Sequence, residues 1–391
     1  MDFVERSRMR HGRRSRWLLV LFLLYTALCL VGGIYLADGT LHPPRRALTG
    51  EETTAFTSTV RAMKAELQEV SITTADEVVL RGWLLRPIAS NGNAALALHG
   101  LADNRLGMTG YAELLLAHGY TVLLPDARAH GVSEGELATY GLLERQDIHK
   151  WVDFLVAATH PRCVYGMGES MGAAELLQSL EEKPRFCALV AESPFFTFRE
   201  IAYDRMGQPF HTGPWVGRVL LRPMVEIAFL RVRWKYGLDM DQVSPEDAIA
   251  RSHIPVLLIH GQIDRNIPVR HSRAIHEAAP QTVLWEVPGA DHCGAIAAAP
   301  REFETRVLGW FDAAMVTKAN ALTTKGNKVH QGKRRSRAAA PFVASGGAST
   351  PCDSNHVMGF FCRINSCEFV PGMRGTEHSS GTRFFSWPTR Q

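Results

Sequence analysis

A serine hydroxyl is a poor nucleophile at neutral pH. It attacks a carbonyl when a histidine takes its proton and a carboxylate orients that histidine. Three positions of this chain could supply that chemistry. Ser170 stands in Gly168-Glu169-Ser170-Met171-Gly172, entered by the β-prone Cys163-Val164-Tyr165-Gly166-Met167 and left by the helix-prone Ala173-Ala174-Glu175-Leu176-Leu177-Gln178. A strand, a sharp turn and a helix form the setting in which a G-x-S-x-G turn exposes its serine. The two glycines suit a turn so tight that a Cβ at either flank would meet backbone. Asp264 follows the apolar run Leu257-Leu258-Ile259, in His260-Gly261-Gln262-Ile263-Asp264, and His292 closes Pro288-Gly289-Ala290-Asp291-His292. Nucleophile, acid, histidine is the chain order of enzymes built on this turn. Glu192, at the end of another apolar run, is the alternative acid. Asp291 adjoins His292, and adjacent side chains diverge, so it reads as a loop-ordering residue.

These residues need elements to hold them. Glu69 to Thr74 and Val78 to Pro87 alternate as two antiparallel strands. Short continuous apolar runs at Ala94 to Leu98, Tyr120 to Pro125, Phe186 to Ala191, Ile254 to Ile259 and Thr282 to Val287 suit strands buried on both faces. Helical periods over Met108 to His118, Leu142 to Thr159, the stretch after Ser170 to about Leu180, Val269 to Ala279 and Arg301 to about Met315 separate them. This alternation predicts an α/β fold with a mostly parallel central sheet covered by helices on both faces. Residues 196–250 break it. They carry amphipathic helical stretches with Trp215, Phe229 and Trp234 and no clear strand, and read as an inserted helical lid.

Taken together, the motifs resemble those of α/β-hydrolase fold enzymes, in the branch that includes serine aminopeptidase-like proteins and monoglyceride-lipase-like esterases. The resemblance covers about residues 66 to 316. It rests on His99-Gly100, Asp126-x-Arg128-x-x-Gly131-x-Ser133, the serine turn, Gly261-x-x-Asp264 and Gly289-x-x-His292. It implies Ser170, Asp264 and His292 as a catalytic triad, and loop-fixing roles for His99, His130 and His260. Asp126, Arg128 and Ser133 look like a buried polar network bracing the loops. An oxyanion needs two N–H donors. The backbone N–H of Met171, first in the helix after Ser170, is one, and that of Leu101, after His99-Gly100, is the other. The His-Gly-Gly-Gly of one lipase and esterase group is absent. The expected activity is that of a serine hydrolase acting on an ester, thioester or related acyl bond, with Phe195, Phe196, Trp215 and Phe229 of the lid suggesting an apolar acyl group. An aminopeptidase is the alternative and would need an acidic anchor, for which Glu192 and Glu226 are candidates. A non-catalytic, hydrolase-like scaffold is the third reading. No metal or redox cofactor is expected, since H-E-x-x-H, paired C-x-x-C and a dinucleotide-type G-x-G-x-x-G are all missing.

The 391 residues, 46% hydrophobic, are enough for a large core. The net charge of +4 belongs to the ends: residues 1–16 hold six Arg against two acids, and residues 318–391 hold eleven Lys and Arg against three, leaving 17–317 net acidic by eight. A nucleic-acid partner is therefore not expected. Trp17 to Ala37 is an uncharged run of 21 residues, long enough as a helix to cross about 30 Å of hydrocarbon. It reads as a single transmembrane helix rather than a cleaved signal. The basic residues 1–16 would stay cytoplasmic and the catalytic domain would lie on the far side. Residues 38–65, with Pro43-Pro44 and several Thr, read as a linker, 66–317 as the hydrolase domain, and 318–391 as a disordered basic tail. The seven thinly spread cysteines suggest no disulfide framework; Cys163 and Cys187, in apolar runs, read as buried thiols, and an exported domain leaves a disulfide possible but unassigned. Cys352, His356, Cys362 and Cys367 match no paired zinc-ligand spacing.

Overall fold

The computed structural model describes residues 3–181 and 185–335. Helix α1 (Phe3–Leu41) is followed by α2 (Gly50–Ala62), β1 (Ala65–Thr73), β2 (Val79–Pro87), β3 (Ala94–Leu98), α3 (Thr109–Ala117), β4 (Thr121–Pro125), α4 (Glu144–Thr159), β5 (Val164–Glu169), α5 (Met171–Gln178) and β6 (Phe186–Glu192). Then come α6 (Phe198–Gly207), α7 (Arg222–Tyr236), α8 (Pro245–Ala250), β7 (Val256–Gly261), α9 (Arg270–Ala278), β8 (Val283–Val287), α10 (Ala295–Ala298) and α11 (Pro300–Arg335). The eight strands form one sheet in the order β1-β2-β4-β3-β5-β6-β7-β8. β1 and β2 pair antiparallel, β2 runs antiparallel to β4, and β3 to β8 are mutually parallel.

The apolar strands are buried on both faces because each alternates its side chains between two cores. Ala95, Ala97, Tyr165 and Met167 join one cluster with Phe303, Val307 and Phe311 of α11. Leu96, Leu98, Val164 and Leu189 join the other with Trp151 and Leu155 of α4 and Leu176 of α5. Parallel strands point their C-terminal ends the same way, so the loops after β3, β5, β6, β7 and β8 gather on one rim. The sequence-derived elements of the sheet all form, and 196–250 is mostly helical with no strand, with a π-helical turn at Val216–Leu220 between α6 and α7.

Three expectations change. Residues 38–65 are not a free linker. α1 runs on to Leu41, and α2 starts at a Thr49-x-x-Glu52 cap in which Thr49 Oγ accepts the Glu52 N–H at 3.2 Å. α2 buries Phe56 and Val60, and Phe56 stacks on Trp83 at 5.4 Å between ring centroids. The Phe56–Val60 pair, one turn apart, is the stripe that the Thr-rich composition conceals. Nor are Cys163 and Cys187 free thiols: they form a disulfide that ties the start of β5 to β6. Closing that 24-residue separation contributes about 3 kcal/mol by chain entropy. Two residues far apart in sequence meet because β5 and β6 are adjacent, which spacing alone does not reveal. Finally, the last helix does not stop near Met315 but continues to Arg335. The remainder of the expected tail, with Cys352, His356, Cys362 and Cys367, lies outside the described residues.

Candidate active site

Ser170 sits at the tip of the turn between β5 and α5 with φ +52° and ψ −115°, a region that ordinary side chains avoid. Neighbouring backbone enforces it. A Cβ on Gly168 would lie 2.7 Å from the Gly172 carbonyl, and one on Gly172 would lie 2.5 Å from Leu98 O and 2.6 Å from His99 O. Only glycines let the turn close this tightly against β3. Ser170 N–H donates to Glu192 O at 2.8 Å, which pins the turn to the end of β6.

The three distant side chains converge on the rim. His292 Nε2 lies 2.9 Å from Ser170 Oγ, and His292 Nδ1 lies 2.8 Å from Asp264 Oδ2. With Nδ1 protonated and donating to Asp264, Nε2 faces the serine as an acceptor. The Asp264 side chain is fully buried. Its Oδ1 accepts the backbone N–H groups of Asn266 and Ile267 at 2.9 and 2.8 Å, and Oδ2 also faces His260 Nε2 at 3.3 Å. Burial by itself would raise the Asp264 pKa. The hydrogen bonds from His260 and His292, the charge of His292 and the Ile267 N–H outweigh it and hold the carboxyl well below the usual range. Asp264 therefore stays ionised where it faces His292. Asp291 accepts from the Arg265 and His292 backbone N–H groups at 3.1 and 2.9 Å, a loop-ordering position.

Glu192, the alternative acid, is elsewhere. It is buried behind the turn, where it accepts from Tyr111 Oη at 2.9 Å and Ala295 N–H at 2.9 Å. Glu169 shares that Tyr111 hydroxyl at 3.3 Å. Burial, followed by the nearby Glu192 charge, pushes the Glu169 carboxyl up to about 8. The folded protein thus keeps a proton on Glu169 that the unfolded chain loses near the ordinary glutamate value. Between those two values the native state binds more protons, so stability falls as pH rises through that window. Glu169→Gln should flatten the fall: from pH 5 to pH 8 the wild type loses several degrees more of Tm than the variant does. Equal losses in thermal melts at the two pH values would remove this assignment.

The Gly100–Leu101 turn abuts the nucleophile, since a Cβ on Gly100 would sit 3.5 Å from Ser170 Cβ. The backbone N–H groups of Leu101 and Met171 meet no acceptor among the described residues. Behind them, His99 bridges two loops: Nδ1 faces Gly100 O at 2.8 Å and Nε2 accepts the Ala127 N–H at 3.0 Å. Burial lowers its pKa, which favours the neutral ring that can both donate and accept. His130 lies beside it with ring centroids 5.2 Å apart, and His260 contacts Ser272 Oγ and Ile267 O, both at 2.7 Å. Asp126 accepts from Arg105 Nη2 and from Val132 N–H at 2.8 Å each, while Arg128 pairs with Asp147 at 2.7 Å and Asp76 at 3.0 Å. Arg105, Tyr111 and Glu169 went unnoticed in the sequence: Tyr111 lies inside a helical period that explained it, Arg105 in the loop before that helix, and Glu169 in the serine turn, where only the glycines and the serine carried a signal. Arg105 is completely buried, and only the fold brings its Asp126 partner to it.

A cavity of about 720 Å³ opens at Ser170. Phe195, Phe198 and Ile201 from the start of the lid, Val225, Ala228 and Phe229 from α7, and Leu36, Ala37 and Leu41 from α1 contribute apolar walls. Of the four lid aromatics, Phe195 and Phe229 line the cavity. Phe196 instead packs on His271 at 5.0 Å, and Trp215 is 59% exposed. Arg205 is the charged side chain of the lining. Among the described residues, no group of three or more His, Cys, Asp or Glu is arranged to hold a metal ion.

A model of the alpha/beta hydrolase family matches residues 95–306, which contain all of this rim. The chain belongs to the alpha/beta hydrolase family. Among its relatives, the hydrolase is similar to the uncharacterized protein YqkD of Bacillus subtilis, 31% identical over 191 residues, or 47% of this chain and 59% of YqkD. The match therefore spans less than two thirds of that relative's length. The uncharacterized protein Rv2307c of Mycobacterium tuberculosis is 28% identical over 229 residues, 58% of this chain and 72% of its own. Among solved structures, the Pyrococcus furiosus esterase Pf2001 is similar with a TM-score of 0.55 and 26% identity, over 70% of this chain and 100% of that one.

Proposed function

We propose that this chain is a membrane-anchored serine hydrolase that cleaves a carboxylic ester, thioester or related acyl bond through an acyl-enzyme. The hydrogen-bonded line from Ser170 through His292 to Asp264 carries the reading. Ser170 Oγ attacks the carbonyl carbon while His292 Nε2 takes its proton. Asp264 holds the ring in place and stabilises the imidazolium. The carbonyl oxygen becomes an oxyanion held by the Met171 and Leu101 N–H groups. Loss of one such donor costs roughly 10²- to 10³-fold in rate. His292 then protonates the leaving oxygen or sulfur, and a water activated by the same ring releases the acid. The esterase Pf2001, similar over its whole length, supports ester chemistry.

An aminopeptidase needs a carboxylate to hold the substrate's free amine, and among the described residues the cavity lining offers none. Glu192 is committed to Tyr111 and Ala295, and Glu226 to Arg199 at 2.7 Å. The cavity's cation, Arg205, would repel an ammonium group. A non-catalytic scaffold would have no use for three side chains in productive contact. Purified full-length protein should hydrolyse p-nitrophenyl esters and react with a fluorophosphonate probe, with little action on aminoacyl anilides. Faster turnover of the anilides would reverse the assignment, and an unlabelled protein would remove it.

Anchoring rests on α1, whose stretch Arg13–Leu41 is long and apolar enough to cross a membrane. The arginines on its N-terminal side favour a cytoplasmic N-terminus. The Cys163–Cys187 disulfide supports an oxidising compartment for the rest. Protease added to spheroplasts should digest the catalytic domain, and protection would reverse the orientation. The expected partners are a small acyl substrate and the membrane, with no nucleic acid.

A further inference from the structure

The N-terminal helix does more than lead up to the hydrolase domain. It belongs to the same compact unit as the sheet. Its last turns join an apolar cluster in which Ala37 and Leu41 pack with Met171 of α5, Phe195, and Ala228 and Val232 of α7. Tyr140 Oη donates to Thr40 O at 2.8 Å and Ala138 N–H to Leu41 O at 2.9 Å, fixing the end of α1 beside the rim.

Upstream, α1 runs parallel to α7. Tyr25 Oη donates to Leu220 O at 2.6 Å, and Asp38 accepts from Lys235 Nζ at 2.9 Å and Tyr236 Oη at 2.7 Å. Between these points Gly32 and Gly33 let the helices touch. A Cβ on Gly33 would lie 2.7 Å from both Met224 O and Ile227 Cγ2. Small residues at such a seam are what close helix approach in an apolar medium requires.

Gly32, Tyr35, Leu36 and Ala37 lie inside the uncharged run of 21 residues and also line the cavity that contains Ser170. The lid, docked on α1, exposes Val219, Leu220, Leu230 and Trp234, and α1 exposes Leu28, Val31 and Ile34. Large apolar side chains exposed on two packed elements, one of them of membrane-spanning length, suit lipid rather than water.

We propose that the C-terminal turns of α1 form a wall of the acyl-binding cavity, and that the enzyme takes a long-chain acyl ester directly from the adjoining bilayer leaflet. The inference rests on Ser170 being the residue acylated. An acyl chain passing along α1 reaches Ser170 without crossing water, so its apolar surface is never exposed on the way. Anchor and binding site are then one element, and the hydrolase domain without α1 lacks part of its cavity.

Full-length protein in phosphatidylcholine vesicles tests this with p-nitrophenyl palmitate and butyrate. Leu36→Trp, which fills the cavity from α1, should lower the palmitate-to-butyrate ratio of kcat/KM by about tenfold or more. Gly39→Phe should act in the same direction and offers a second variant should Leu36→Trp fail to fold. Gly39 lines the cavity, and a Cβ there meets nothing within 4 Å. Leu24→Trp, on the exposed part of the same helix and outside the cavity, should keep the wild-type ratio. With total palmitate ester constant, added phospholipid should slow the wild type in proportion to the ester's mole fraction in the bilayer. An unchanged ratio in folded Leu36→Trp and Gly39→Phe overturns the wall. A rate that ignores phospholipid dilution overturns the bilayer source. Fluorophosphonate labelling separates these outcomes from failure of the hydrolase reading, which predicts no label even on the folded wild type.

Discussion

Ser170→Ala should lower ester turnover by about 10⁶-fold and abolish fluorophosphonate labelling, while the protein keeps its fold. The size of the effect follows from what the side chain does. On the proposed mechanism its hydroxyl is the atom that forms the acyl bond, and among the described residues His292 Nε2 meets no other nucleophile at 2.9 Å. The fold survives because the turn is held by backbone. Ser170 N–H remains bonded to Glu192 O, the glycine contacts with β3 are untouched, and alanine tolerates the positive φ no worse than serine. A residual rate above that in water is expected from the Leu101 and Met171 N–H groups and from substrate binding, which operate without the nucleophile. Initial rates on a p-nitrophenyl ester, with thermal melts of both proteins, check this. A variant within tenfold of the wild type would mean that another group attacks the carbonyl.

Asp264→Asn should lower kcat by about 10⁴-fold with an intact fold. Asp264 accepts from His292, His260 and the backbone N–H groups of Asn266 and Ile267. An asparagine offers one oxygen and one donating NH₂ to that set. If the oxygen keeps the backbone bonds, the NH₂ faces His292 Nδ1. The ring then places its proton on Nε2, where it cannot accept from Ser170. Glu192→Gln is the comparison, because Glu192 is the other carboxylate considered for this role. Its loss of activity should be at least two orders of magnitude smaller. The opposite ranking in steady-state kinetics would transfer the orienting role to Glu192.

Much of this was legible in the chain. Apolar runs of strand length, separated by helical periods, determine a buried parallel sheet because only that arrangement hides both faces of each run. Gly168 and Gly172 around Ser170 determine a turn, since close backbone approach excludes any other residue there. Chain order set Asp264 and His292 as partners, and 21 uncharged residues sufficed for a membrane-length helix. Other features exist only after the chain has folded, because they join residues whose sequence separation carries no signal. Cys163 meets Cys187 only once β5 and β6 are neighbours. Arg105, in the loop after β3, reaches Asp126, in the loop after β4, and a helix readable only as an anchor lines the cavity when Gly32 and Gly33 let α7 dock on it. Composition and period report how each segment prefers to meet water. Which buried surfaces meet each other is decided by the tertiary fold.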